Sequence, residues 1–326
     1  MKLIQCFLLA SLLFLLACNG IIKNDNPKII EEEGTKVSAA MEAKAIEDFR
    51  GIYVGMFEPI LTEEESGAKN IFAGEAFYWR RENKISIFID ELKDSEVKGH
   101  SVVAGNNTLF EGVAKKNGSG FFVEAKEIGN NKNDGAFTFF IKDSLLDGTW
   151  KSFKKIDIEN RKYTLIKTVF VYNANQMLDS GAYHNRSDKY VDWTKPEMGA
   201  IEIKQLKSKM SKTEVEEYEE FEENTSFSSA TDGIYDINAS TQKLSELSVS
   251  NLSKGDLTII RNCIYARHGY SFKYMPLRVF FNKQNWYMPI SNDIRASLTD
   301  IEKQNIILLL KYEKVAKEYY DYFGRG

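Results

Sequence analysis

Residues 84–92 read KISIFIDEL, and their alternation decides the fold class. Ile85, Ile87 and Ile89 fall on one face of an extended chain, while Lys84, Ser86 and Asp90 do not share that face. A period of two over five to nine residues is the signature of a strand with one face in a core. The same pattern returns on both sides, in GIYVGMF (51–57), TLFEGVAKK (108–116), SGFFVEAKE (119–127), GAFTFFIKD (135–143) and YTLIKTVFVY (163–172). In the last of these, Leu165, Val169 and Val171 oppose Ile166, Phe170 and Tyr172. Asn117-Gly118, Asp134-Gly135 and Asp147-Gly148 punctuate the runs and read as hairpin turns, since Gly tolerates positive φ and Asn and Asp adapt to it. Residues 48–173 are therefore expected to form an antiparallel β meander of about eight or nine strands, a small barrel or a sandwich. Closure removes exposed strand edges and favours the barrel. Tyr53, Phe57, Phe88, Phe110, Phe122, Phe137, Phe139 and Trp150 are expected to fill its interior, which at about eight strands has room for side chains or one small ligand.

Gly51-Ile52-Tyr53-Val54-Gly55 and Gly148-Thr149-Trp150 give this region a loose resemblance to lipocalin-like bacterial domains, which can hold an apolar ligand inside the barrel. The stretch 174–240 reads as a connector. Seven Glu fall between Glu214 and Glu223; their spacing matches no calcium loop, and a solvated charge run is the expectation.

Past 240 the period changes. Ser253 reads as an N-cap with Asp256 completing a capping box. Leu257, Ile260 and Ile264, with Ile259, Cys263 and Ala266 beside them, form a wide apolar stripe. The helix should stop at Gly269, the left-handed residue of a Schellman cap. His268 is then the C-cap, and Tyr265 should meet Tyr270 across the turn. A short helix follows near Pro276, and Trp286, Tyr287 and Pro289 lie in a loop. A final helix begins at Thr299, where Glu302 sits at capping-box spacing. Ile301, Asn305, Leu308, Tyr312, Val315 and Tyr319 run along one face of it, and Gly324 is a candidate stop. The chain thus reads as α+β and multidomain, an N-terminal β domain followed by a small helical domain at 241–322.

Residues 253–313 resemble the YARHG domain of exported bacterial proteins. The resemblance rests on Leu257, Arg261-Asn262, Ile264 to Gly269, Phe272, Phe281, Trp286-Tyr287, Pro289, Leu298, Glu302 and Asn305-Ile306. Cys263 departs from it at a position that need only be helical. The family implies a location and a fold more than an activity.

The N-terminus gives the address. Lys2 precedes an apolar stretch from Leu3 to Ala17, too short for a membrane span and shaped like a signal peptide. Leu15-Leu16-Ala17-Cys18 resembles the lipobox of bacterial lipoproteins. That resemblance implies that 1–17 is a leader, that Cys18 carries acyl chains such as palmitate, and that 18–47 tethers the protein to a membrane. The expected location is the cell envelope, facing periplasm or cell exterior. Of three Cys, only Cys263 would then remain free, and it reads as a small buried hydrophobe. A formal charge of −4 offers no basic field for nucleic acid.

Catalytic motifs are missing: there is no H-E-x-x-H, no paired Cys and no G-x-S-x-G. No cofactor or metal site is expected, and the three His (His100, His184 and His268) are scattered. The residues singled out are Arg261, Asn262, Tyr265, Arg267, His268, Gly269, Trp286, Tyr287 and Glu302. Glu302 is expected to accept from Arg261 or Arg267, stapling the last helix to the first. Trp286, Tyr287 and Arg267, if exposed together, would bind a cell-wall polymer or an envelope protein; if buried, they are structural. A further alternative makes His268 a catalytic base oriented by Glu302.

Overall fold

The structure, a computed structural model, describes residues 49–61, 72–74, 77–79, 81–93, 95–180, 190–192 and 229–316. The leader, Cys18, the tether, His184, the acidic run and the terminal stretch with Gly324 lie outside the described residues. The strands are β1 (Gly51–Pro59), β2 (Phe72–Gly74), β3 (Phe77–Trp79), β4 (Asn83–Lys93), β5 (Glu96–Val103), β6 (Asn106–Asn117), β7 (Gly120–Glu127), β8 (Gly135–Lys142), β9 (Leu145–Ser152), β10 (Asn160–Thr168), β11 (Tyr190–Asp192) and β12 (Ser229–Thr231). Helix α1 is Glu246–Val249, α2 Lys254–Arg267, α3 Met275–Asn282 and α4 Asp300–Glu313.

Eight strands close into a barrel in the order β1-β10-β9-β8-β7-β6-β5-β4, every neighbour antiparallel. β2 and β3 form a separate two-stranded hairpin between β1 and β4, and β11 pairs with β12. Alternation sets the interior. Tyr53, Ile85, Ile87, Phe110, Val123, Phe137, Phe139, Ile141, Leu146 and Leu165 are all at most 1 % exposed, so side chains fill this barrel. Phe88 and Phe122 lie on the outer face instead. Phe88 stacks on His100 at 4.1 Å between ring centroids, and Phe122 shares its face with the exposed Glu124 and Lys126.

Glu127 is an interior carboxylic acid. Glu127 takes hydrogen bonds from Ser101 Oγ (2.9 Å), Gly135 N (2.8 Å) and Trp150 Nε1 (3.0 Å). Burial raises its pKa, and those bonds work against the rise.

The hairpin expectations divide. Gly118 makes its turn with φ at +60°. Asp147-Gly148 does not turn: it sits inside β9, with Gly148 opposite Phe139. A Cβ there would lie 2.6 Å from the Phe139 Cβ, so the glycine makes room for a core aromatic. The turn between β8 and β9 falls instead at Asp143, whose φ is +53°.

The strand expected to reach Tyr172 ends at Thr168. Residues 169–180 leave the barrel and lie along the helices as a strap. Leu178 joins the helical core, Ala174 O accepts from Asn238 Nδ2 at 2.8 Å, and Asp179 N donates to Gln284 Oε1 at 2.7 Å. That core also takes in Ala230, Ile234 and Ala239, residues the sequence reading placed in the connector.

Helix boundaries follow their caps. Ser253 with Asp256 and Thr299 with Glu302 both close capping boxes. On α4 the buried residues are Glu302, Asn305, Ile306 and Leu309. The apolar face is thus rotated from the expected series, and Val315 is left 72 % exposed.

Barrel and helices fall within one compact unit, Ala45–Gly326. Gly105 N donates to Ser271 Oγ at 2.9 Å, and Lys84 Nζ donates to Gln284 O at 2.8 Å. Ser86 and Val102, outward-facing on β4 and β5, are fully covered.

Candidate functional site

The string Tyr265-Ala266-Arg267-His268-Gly269 is a helix stop in which Ala266, Arg267 and His268 are buried and Tyr265 is half-buried. Gly269 has φ at +72°, Tyr270 N donates to Tyr265 O at 3.0 Å, and Gly269 N donates to Ala266 O at 2.9 Å. These are the two bonds of a Schellman cap. Tyr265 and Tyr270 meet edge-on at 6.0 Å. A Cβ at 269 would fall 2.3 Å from Ile290 Cγ1, so glycine is required there for space as well as for conformation.

The expected staple exists with different partners. His268 Nε2 lies 2.8 Å from Glu302 Oε2, and Tyr172 Oη donates to Glu302 Oε1 at 2.9 Å. Tyr172 also stacks on the His268 ring at 4.2 Å, nearly parallel. Glu302 therefore ties the strap, the end of α2 and its own cap on Thr299 together. Burial pushes its pKa up, but the hydrogen bonds from His268 and the Thr299 amide outweigh that and hold it at about 2.

Neither arginine reaches Glu302. Arg261 grips Glu313, with Nε to Oε2 at 2.7 Å and Nη2 to Oε1 at 3.0 Å. Arg267 is 3 % exposed, and donates from Nε to Gln176 O at 2.6 Å and from Nη1 to Ser240 Oγ at 3.1 Å. An Arg–carboxylate fork still joins α2 to α4, about three turns along α4 from the glutamate chosen on capping grounds.

Tyr287 is buried at 1 % exposure and donates to Tyr270 O at 2.7 Å. Trp286 is half-buried, with an indole nitrogen shut off from solvent. The patch expected from Trp286, Tyr287 and Arg267 is thus not a surface. Cys263 is buried, and burial raises its thiol pKa. His268 has its carboxylate, and the pair is buried, at 6 % and 0 % exposure, with Tyr172 stacked on the imidazole.

The open feature lies on the other side of α2. A groove of about 560 Å³ runs between the last turns of α2, the 270–277 segment and the 292–298 loop. Tyr265, Tyr270 and Tyr274 line it, together with Arg261, Lys273 and Arg295. Tyr274 is 57 % exposed. Arg295 is oriented by a double contact to Asp293, at 2.9 Å and 2.5 Å. Aromatic faces flanked by cations and amides make a surface that can bind a polymer or a protein segment. Of the residues singled out from sequence, Arg261, Asn262 and Tyr265 border this groove; Arg267, His268, Tyr287 and Glu302 build the scaffold beneath it. Tyr274, Asp293 and Arg295 were not singled out, because they sit in loops without a period. Tyr172 was missed because it reads as a strand residue.

Among the described residues, no group of three or more His, Cys, Asp and Glu could hold a metal. No helix among them is long and apolar enough to cross a membrane. Residues 234–314 match the YARHG domain family. No curated protein and no solved structure matches the chain. The family match starts 19 residues before Ser253, taking in Ile234, Ala239 and the 239–244 loop. Asn305 holds that loop through Leu244 N (3.0 Å), Ala239 O (2.8 Å) and Gln242 O (2.7 Å).

Proposed function

We propose, from the premise that residues 234–314 are a YARHG domain, that the protein is a non-enzymatic cell-envelope binding protein. Its YARHG domain, braced by the barrel and the strap, offers the tyrosine groove to an envelope component, a cell-wall polymer or a protein partner. The observation that carries this reading is the groove itself: Tyr265, Tyr270 and Tyr274 beside Lys273 and Arg295, on a domain whose named string is spent on internal bonds. The test is retention of the protein on purified peptidoglycan sacculi and, separately, on solubilised envelope proteins. Tyr274→Ala and Arg295→Ala should lose retention about tenfold while melting like wild type. Retention equal to wild type in both variants would refute the groove.

The leader and the Cys18 lipobox support membrane anchoring through acyl chains, with each buried methylene contributing roughly 0.8 kcal/mol. Labelled palmitate should enter the wild-type protein and not Cys18→Ser. Equal labelling of both would remove the anchor from this account.

A further inference from the structure

Given that the tyrosine groove is the binding surface, as proposed above, its lining narrows what it can hold. Most of its charge is already spent. Arg261 forks onto Glu313. Arg295 spends Nε and Nη2 on Asp293. Those bonds hold the Asp293 carboxyl at about 2, so both members stay ionised and offset each other at neutral pH. Two of the three described cations lining the groove thus carry their own carboxylate, and an acidic ligand would have to displace or share it.

The walls are also fixed from within. Ser271 N donates to Ser291 O at 2.8 Å, and Ile290 N donates to Gly269 O at 2.7 Å. The backbone at the root of the groove is therefore spent on itself and gives no edge there to an extended peptide. Gly105 N, from the turn between β5 and β6, donates to Ser271 Oγ and braces the same wall. The apolar floor is closed: Phe272, Leu277 and Ile294 are 2 %, 7 % and 6 % exposed, which shuts them off from an aliphatic anchor. What stands open is the Tyr274 ring on one wall, with Asn292, Asp293 and Arg295 exposed on the other.

We infer that the groove binds an uncharged glycan chain, built of pyranose rings that bear hydroxyl and N-acetyl groups. The C–H face of such a ring is weakly positive and packs on the negative face of a tyrosine. Its hydroxyls need donors and acceptors side by side: Asn292 supplies both, Asp293 accepts and Arg295 donates. Because Asp293 and Arg295 already hold each other, they lose little freedom when hydroxyls add to them. At about 560 Å³ the groove falls within the range of small-ligand sites, roughly 300–1,000 Å³, which suits a short run of sugar rings.

The test is calorimetric titration of the full-length protein with N-acetylglucosamine oligomers. In parallel, the same oligomers and stem peptides released from sacculi compete for protein held on sacculi. Saturable oligomer binding is expected, changing less than about twofold when salt is raised to ~0.5 M, because screening acts on charge and the ligand has none. Tyr274→Leu keeps bulk and removes the ring, and should weaken binding roughly three- to tenfold. Asp293→Asn should weaken it about tenfold, as expected for losing a charged acceptor; an acidic peptide would instead bind more tightly to the freed Arg295. Lys98→Gln, whose cation pairs with Glu91 on the outer face at 3.4 Å, should match wild type. Melting curves confirm that each variant is folded. No saturable oligomer binding, or binding equal to wild type in both folded groove variants, overturns the glycan assignment, as does tighter retention in Asp293→Asn. If retention on sacculi falls in Tyr274→Ala and Arg295→Ala while only stem peptides compete, the groove stands and its ligand is a peptide. Retention unaffected by both substitutions removes the groove and the glycan together.

Discussion

Glu302→Ala lowers the stability of the protein by about 3–5 kcal/mol, the range for removing a buried carboxylate from the groups it holds. The side chain is 0 % exposed. Its loss strands His268 Nε2, the Tyr172 hydroxyl and the Thr299 amide together. Glu302→Gln keeps the shape and part of the bonding, so its effect should fall nearer 1–3 kcal/mol, roughly that of an unsatisfied polar group. Denaturant titration at neutral pH measures both. The same residue sets an acid limit. Its folded pKa of about 2 lies below the ordinary 4.5, so its stabilisation is fully present above pH 4.5 and is lost as pH falls towards 2. The shift corresponds to about 3 kcal/mol in order of magnitude. Wild type should lose stability between those limits, and Glu302→Gln should lose less. Parallel pH profiles for the two would show that Glu302 carries no such linkage.

Phe137→Ala costs about 3–5 kcal/mol, the usual range for truncating a buried aromatic to Ala. Phe137 is 1 % exposed, with Phe110 at 5.6 Å and Tyr163 at 6.0 Å between ring centroids. Phe122→Ala, on the outer face of β7, the strand between those that carry Phe110 and Phe137, should stay within about 0.5 kcal/mol. The pair of measurements separates a filled barrel from a hollow one. Similar small losses in both variants would mean that the interior tolerates a void and can hold a ligand.

What could be read from the chain followed local rules. The 84–92 alternation placed Ile85, Ile87 and Ile89 inside because side-chain period is a property of the strand itself. Ser253, Gly269 and Thr299 behaved as caps because capping involves only residues three or four apart. The errors came where a distant element decided. Asp147-Gly148 looks like a turn until Phe139 is placed opposite it. Tyr172 continues a strand pattern, yet the chain departs at Thr168 and spends Tyr172 on Glu302, 130 positions away. Arg267 was expected at Glu302, but the Gln176 carbonyl and Ser240 compete for it, both brought in by segments without a period. The groove was legible only at its α2 edge, through Arg261, Asn262 and Tyr265. Its other wall is loop, where geometry is set by Asp293 and Arg295 holding each other.

The division of labour inside the domain explains why so dense a string can lack an exposed site. Its Arg and His are consumed in holding α2, α4 and the strap together. Rigidity there fixes Tyr265 and Tyr270, two of the three tyrosines of the groove, and preorganised aromatic groups lose little freedom on binding.

The most direct measurement is amide hydrogen exchange of the full-length protein, with and without the envelope fraction that retains it. The account predicts slowed exchange at residues 270–274 and 292–298, with the barrel strands unchanged. Protection confined to the barrel strands, or absent everywhere despite retention, would contradict it.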